Sequence, residues 1–263
     1  MTRVLMASTD KAQTVPSSAD CTGPVETRAL LYRESDPIHL YEHRLGQGAT
    51  LNVTGTPTDR LIYVWKGAVE AGGRNLAARS TAIVEYGSAL RLTALELDSS
   101  LLVFHRRQRG NDDHAGGHVH LLPSERVPRV DNAGGSRTAM ALHANAQCAT
   151  CQVWLHENDF DEAGGEVAVH SHSEDEVIFV RAGSVRLGKR LHGPGTAIAI
   201  GADTKYGFRA GPEGLSILNF RGAAPTYRSA DGAVVLDEAE LWRNTVGQLD
   251  YLAPVNVMES AGG

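Results

Sequence analysis

The chain has 263 residues, 42% of them hydrophobic and 21% charged, with a formal net charge of −6 and an isoelectric point near 6.0. That is long and apolar enough to bury a real core, while the negative balance removes the long-range attraction a nucleic-acid binder needs. No apolar stretch is long enough to span a bilayer, and the opening MTRVLMASTDKAQTVPSSAD lacks the apolar core of a signal peptide, so a cytoplasmic protein is expected.

In chain order, residues 1–27 are polar and without periodicity, which predicts a loose N-terminal arm. From residue 28 to 109, short apolar runs alternate with glycine-rich turns: ALLY, IHLYEHRL, ATLNV, RLIYVWKG, TAIVEY, LRLTALEL and SLLVFHR. Such spacing predicts an all-β barrel, not βαβ units. Residues 110–135 break the rhythm with Gly, Pro and charges and read as a linker. A second series over 136–232 repeats the first: RLIYVWKGAVEAG at 60–72 lies over EVIFVRAGSVRLG at 176–188, and STAIVEYGSALRLTA at 80–94 over GTAIAIGADTKYGFRA at 195–210. A repeat of about 115 residues fits two copies of one small β domain. In the tail, 233–263, the run VVLDEAELWRNTV has helical spacing, with Asp237 as N-cap.

The chemistry concentrates at HSHSEDEVIFVRAG, residues 170–183. Alternation along a strand points His170 and His172 to one side, and Glu176, Ile178 and Val180 form one face of the strand returning after a turn. Two imidazoles and a carboxylate converging in this way are the ligand set of a 2-His-1-carboxylate metal site.

The three cysteines, Cys21, Cys148 and Cys151, cannot form a paired disulfide framework. Cys148 and Cys151 make a C-x-x-C, but no second ligand pair and no βαβ context is visible around it, and residues 150–156 read as a strand, so no function is expected of it. His118 and His120 repeat the H-x-H spacing without a following carboxylate at the right distance and are expected to be loop histidines.

The segment from Gly165 through His170, His172, Glu176 and Gly183 resembles the first conserved motif of the cupin superfamily, and the duplicated pattern makes the chain from about residue 28 resemble a bicupin. The resemblance implies two tandem double-stranded β-helix (jelly-roll) barrels with a short C-terminal helix, and a divalent transition metal in the second barrel, iron first, with manganese, nickel or zinc open. In the family's second motif a histidine completes the site; here Tyr206 stands there, preceded by Lys205. Three readings of Tyr206 stay open: a metal ligand, a hydrogen-bond partner or acid/base beside the metal, or barrel lining. His143 and His156 are further candidates for completing the site. Lys205 suggests an anionic substrate. Aligned on Gly67 and Gly183, the first copy has Thr54, Thr56 and Arg60 at the ligand positions and Arg91 at that of Tyr206, so its metal site is expected to be lost.

The resemblance implies a metal-dependent enzyme acting on a small polar, carboxylate-bearing molecule, with iron dioxygenase-like chemistry first. Isomerase, lyase or aminohydrolase chemistry, the last with the layout of ureidoglycine aminohydrolases, is the alternative. A cupin that binds a metal or small ligand without turnover is a further one. A homodimer is compatible with the fold, and neither nucleic acid nor membrane is expected as a partner.

Overall fold

Alternating apolar residues on short strands dictate sheets with one buried face, and that is how this chain folds. The computed structural model describes residues 4–16, 21–54, 58–106, 116–134 (backbone alone at 132–134), 137–145, 148–161 and 165–255. They form β-strands throughout, with one 3-10 turn and one α-helix, Glu238–Val246. Asp237 caps that helix, its carboxylate accepting from the backbone N–H of Ala239 at 2.8 Å and of Glu240 at 3.3 Å. No helix among the described residues is long and apolar enough to cross a membrane.

The chain divides into two units, and the division does not follow simple halves. One comprises Met1–Lys11, Pro128–Gln147 and Val153–Leu249, the other Ala12–Val127, Cys148–Gln152 and Asp250–Gly263. In the first, strands Val4–Ser8, Thr196–Ile200, Glu176–Leu187, Tyr206–Arg221, Trp154–Phe160, Arg137–Ala144 and Arg129–Gly134 lie side by side in that order, with Glu166–His172 paired to Tyr206–Arg221. Its core holds Ile178, Val180, Ile198, Ile200, Phe208 and Ile217; Val177 and Phe179, on the opposite face of the same strand, are buried as well. The second unit has a seven-stranded and a five-stranded sheet around Leu45, Leu51, Ile62, Val64, Leu92 and Val103.

Two stretches expected to be irregular contain strands. In the N-terminal arm, Val4–Ser8 pairs antiparallel with Thr196–Ile200, Gln13–Val15 with Val25–Leu31, and Cys21–Thr22 with Thr50–Val53. Short edge strands need few apolar residues, so composition hid them. Within the expected linker, Val119–Leu122 pairs with Thr81–Val84 and Arg129–Gly134 with Arg137–Ala144; residues 110–115 and 135 lie outside the described residues.

The repeat read from sequence is a repeat of register. Tyr63 pairs with Thr81 and Leu102 in one unit as Phe179 pairs with Ala197 and Leu218 in the other, at a single offset. Gly67 and Gly183 occupy equivalent bends with φ of +70° and +65°. A Cβ on Gly183 would fall 2.2 Å from the carbonyl oxygen of Gly214, whereas one on Gly188, at φ +58°, would meet open space. Both substitutions strain the backbone, but only one also collides with main chain. Gly183→Ala is therefore expected to destabilise by about 3 kcal/mol and Gly188→Ala by about 1 kcal/mol, read by urea unfolding; equal losses at the two positions would contradict this assignment.

Candidate functional site

Strand register assembles the site at one end of the C-terminal barrel. His170 lies across from Tyr206 and Ser229, His172 across from Tyr227, Glu176 across from Arg221, and Ile178 across from Asn219. Ile217, Asn219 and Arg221 are alternate residues of one strand and so share its inward face. Together with His156, Arg137 and Glu238 they line a cavity of about 230 Å³.

The two histidines are buried and neutral. His170 Nδ1 donates to the Ala168 carbonyl at 2.8 Å, which leaves Nε2 as the acceptor, and the Tyr206 hydroxyl donates to it at 3.0 Å. The ring sits between Tyr206 and Tyr227, with centroids 4.4 Å and 5.1 Å away. Burial lowers its pKa. His172 is pushed down further, by burial and then by the charge of Arg221; its Nδ1 stands 3.4 Å from Glu238 Oε1 without forming a hydrogen bond. Burial, reinforced by the charge of Glu176, raises the Tyr206 phenol well above its ordinary pKa. In this hydrogen-bonded arrangement Tyr206 keeps its phenol proton.

Glu176 is held by its neighbours on the adjoining strand. Its Oε2 accepts from Asn219 Nδ2 at 3.0 Å and from Arg221 Nε and NH2 at 3.1 and 2.8 Å. Arg221 NH1 donates at 2.8 Å to Glu238 Oε2, on the first residue of the C-terminal helix. Burial works against the Arg221 charge, yet Glu238 and Glu176 outweigh it and hold the guanidinium firmly protonated. Burial raises the Glu238 pKa, with Arg221 opposing. Arg221 and Glu238 were missed by sequence reading, although the alternation Ile217, Asn219, Arg221 carried the signal for the arginine.

Other expectations divide. Lys205, just before the strand that starts at Tyr206, is exposed, its Nζ donating to the Ala230 carbonyl at 2.7 Å, and unlike Tyr206 it does not line the cavity. His156 lines the cavity, but its Nδ1 accepts from Trp154 Nε1 at 2.8 Å and its ring stacks on Trp242. His143 is buried 3.6 Å from Glu157 and is not part of the lining.

The donor set can be tested for a divalent ion. Two neutral imidazoles, one with an unsatisfied buried nitrogen, suit a metal. Glu176 and Glu238 set two carboxyl groups against the one guanidinium of Arg221. Because Glu176 Oε2 is occupied by three N–H donors, ligation would fall to its other oxygen. On this count the chemistry of His170, His172 and Glu176 suits a cation, but their ligand atoms do not all lie within 4.8 Å of one another and the Tyr206 hydroxyl holds His170 Nε2, so binding would draw the three together and displace that hydroxyl.

In the N-terminal barrel the equivalent cross-strand pair to Glu176 and Arg221 is Arg60 and His105. An arginine replaces the carboxylate, and His105, its pKa lowered to about 4 by burial, carries no compensating negative charge. Arg91 is exposed and donates to Asn52 at 3.0 Å. Thr56 lies outside the described residues.

No protein-family model and no curated protein matches the chain. Solved structures do. The YlbA protein of E. coli superposes with a TM-score of 0.62 at 16% identity over 83% of this chain and 90% of that one. An oxalate decarboxylase of Lactobacillus farciminis, in complex with formate, gives 0.64 at 11% identity over 86% and 88%. A variant oxalate decarboxylase of Bacillus subtilis gives 0.65 at 11% over 86% and 79%. The fold is the cupin fold. Identities this low carry the architecture of these cupin-fold proteins and not their activities.

Within this cupin barrel the Glu176–Arg221–Glu238 group is buried on every member. Arg221→Ala would leave two buried carboxylates uncompensated and is expected to cost about 3–5 kcal/mol, with part of that recovered when Glu176→Gln is added. Denaturant unfolding checks both; a change below about 0.5 kcal/mol for Arg221→Ala would contradict the coupling.

Proposed function

We propose that the chain is a metal-dependent bicupin enzyme whose C-terminal barrel takes a small polar molecule carrying a carboxylate. The observation that supports this reading is the meeting, in one cavity, of the neutral His170 and His172, the buried carboxylate of Glu238 and a cation, Arg137, that has no ion pair among the described residues, with Glu176 hydrogen-bonded to the lining residues Asn219 and Arg221. His170, His172 and Glu176 would hold a divalent ion, iron first, with manganese, nickel or zinc as alternatives. Bound there, the ion would supply Lewis acidity toward a substrate oxygen and, as iron, a route to dioxygen.

The remaining steps belong to the chain's own residues. Arg137, on the cavity lining, is suited to receive the substrate carboxylate in a two-pronged contact. Arg221 is not, since Glu176 and Glu238 take up its donors. Phe160, Phe208 and Ile217 supply the apolar wall that excludes water. Tyr206 keeps its proton through the neutral range and can deliver it to a substrate atom in front of His170. The oxalate decarboxylases among the similar structures concern small carboxylates, which supports the substrate class.

Dioxygenase-like oxidation remains the first reaction to test. The neutral phenol against His170 favours a second reading, proton-transfer chemistry of the isomerase, lyase or hydrolase kind, which a redox-silent metal would serve.

Metal analysis and oxygen uptake with a panel of small hydroxy and keto acids test the proposal. His172→Ala is expected to lose the barrel metal and all turnover. Tyr206→Phe is expected to keep the metal while kcat falls about 10²-fold, and Arg137→Ala to raise KM about tenfold or more at similar kcat. Retention of the barrel metal by His172→Ala would remove the proposal.

A further inference from the structure

The other unit carries a second set of metal-ligand side chains that owes nothing to this cavity. Glu85 follows the strand Thr81–Val84, and His120 lies on Val119–Leu122, across from Ile83. Cys148 and Cys151 come from the segment Cys148–Gln152, which belongs to this unit. That segment is irregular, so the strand expected over 150–156 begins only at Trp154, and His120 is on a strand rather than a loop. The segment is held by Asp59, whose carboxylate accepts from the Gln152 backbone N–H at 2.6 Å, and by Thr150, whose hydroxyl donates to Glu85.

One ligand atom from each of Glu85, His120, Cys148 and Cys151 lies within 4.8 Å of the others, and no other such group occurs among the described residues. Cys148 Sγ is 3.7 Å from His120 Nε2 and 4.0 Å from Glu85 Oε1. Bonds of about 2.0–2.3 Å in a tetrahedral zinc site set ligand atoms about 3.3–3.8 Å apart, close to these separations. His120 Nε2 and Glu85 Oε1, 2.6 Å apart, share a proton; a cation would replace that proton and spread the pair by about 0.7 Å. The Cys151 backbone N–H already donates to Cys148 Sγ at 3.1 Å, as it would to a thiolate.

The two sulfurs are joined as a disulfide in the structure, and a disulfide and a zinc-thiolate pair draw on the same atoms. The neighbours separate the two. A disulfide has no use for an imidazole and a buried carboxylate turned toward it; Glu85, which already accepts from Thr150 and from the His118 backbone N–H, keeps its ligand oxygen Oε1 facing His120 and Cys148.

We propose that Glu85, His120, Cys148 and Cys151 bind a structural zinc ion that fastens the segment Cys148–Gln152 to the barrel of residues 12–127. Four protein ligands close the coordination, which suits a structural and not a catalytic ion, and two thiolates select zinc over a hard cation. The C-x-x-C and the H-x-H of His118 and His120, each set aside when read alone, thus contribute three of the four ligands. The site stands independently of the proposed barrel metal.

The test uses the full chain, purified with a reductant and without chelator. Wild type is expected to carry about one zinc per chain at this site, lost in Cys148→Ser and in His120→Ala and kept in the His170→Ala, His172→Ala double variant. Cobalt(II) in place of zinc should give thiolate-to-cobalt charge-transfer absorption that vanishes in Cys151→Ser. After denaturation with chelator, all three cysteines should react as thiols. Reaction of Cys21 alone, or full reduction with uptake of neither zinc nor cobalt, would overturn the proposal. Thiol count and cobalt spectrum are read on wild type, so neither depends on a variant folding.

Discussion

The guanidinium of Arg221, buried between Glu176 and Glu238, is the contact on which the C-terminal barrel turns. It joins the strand Glu176–Leu187, the strand Tyr206–Arg221 and the first turn of the C-terminal helix through charge-assisted hydrogen bonds in a place water does not reach. The same contact sets the electrostatics of the cavity. Burial depresses the neighbouring His172 and His156, and the charge of Arg221 adds to it, keeping both imidazoles neutral, while Glu238 supplies a second carboxylate beside the guanidinium. Packing and chemistry are thus tied to one side chain.

The helix is part of that arrangement, not an ornament on the barrel. Ala239 and Trp242 pack on Met140, Leu142 and Trp154, and this apolar contact holds the helix start where Glu238 meets Arg221 and His172. Asp237, capping the same turn, fixes the backbone from which Glu238 projects.

Much of the fold was legible because register leaves a mark in sequence. Period-two alternation and the paired glycines at 67 and 183 exposed the duplication, and the H-x-H pointed to two histidines that line the cavity. The remainder depends on pairings that sequence spacing does not encode. Arg221 is 45 positions from Glu176 and Glu238 is 17 from Arg221, so the ion group forms only once the strands are in register. Glu85, His120 and Cys148 come from three separate stretches. Lys205 comes just before the strand that begins at Tyr206, so adjacency in sequence does not carry it into the cavity. In the first copy, the same register with Arg60 in place of the carboxylate shows how duplication preserves pairing while the chemistry at the paired positions diverges.

The central claim is that the cavity of the C-terminal barrel is a metal centre held by His170, His172 and Glu176. Anomalous diffraction at the metal edges, on crystals of the full chain grown with iron or manganese, tests it most directly. The account expects an anomalous peak within bonding distance of both imidazoles and the Glu176 carboxylate. A cavity without such a peak in metal-supplemented crystals, with Arg221 still closing Glu176, would contradict it.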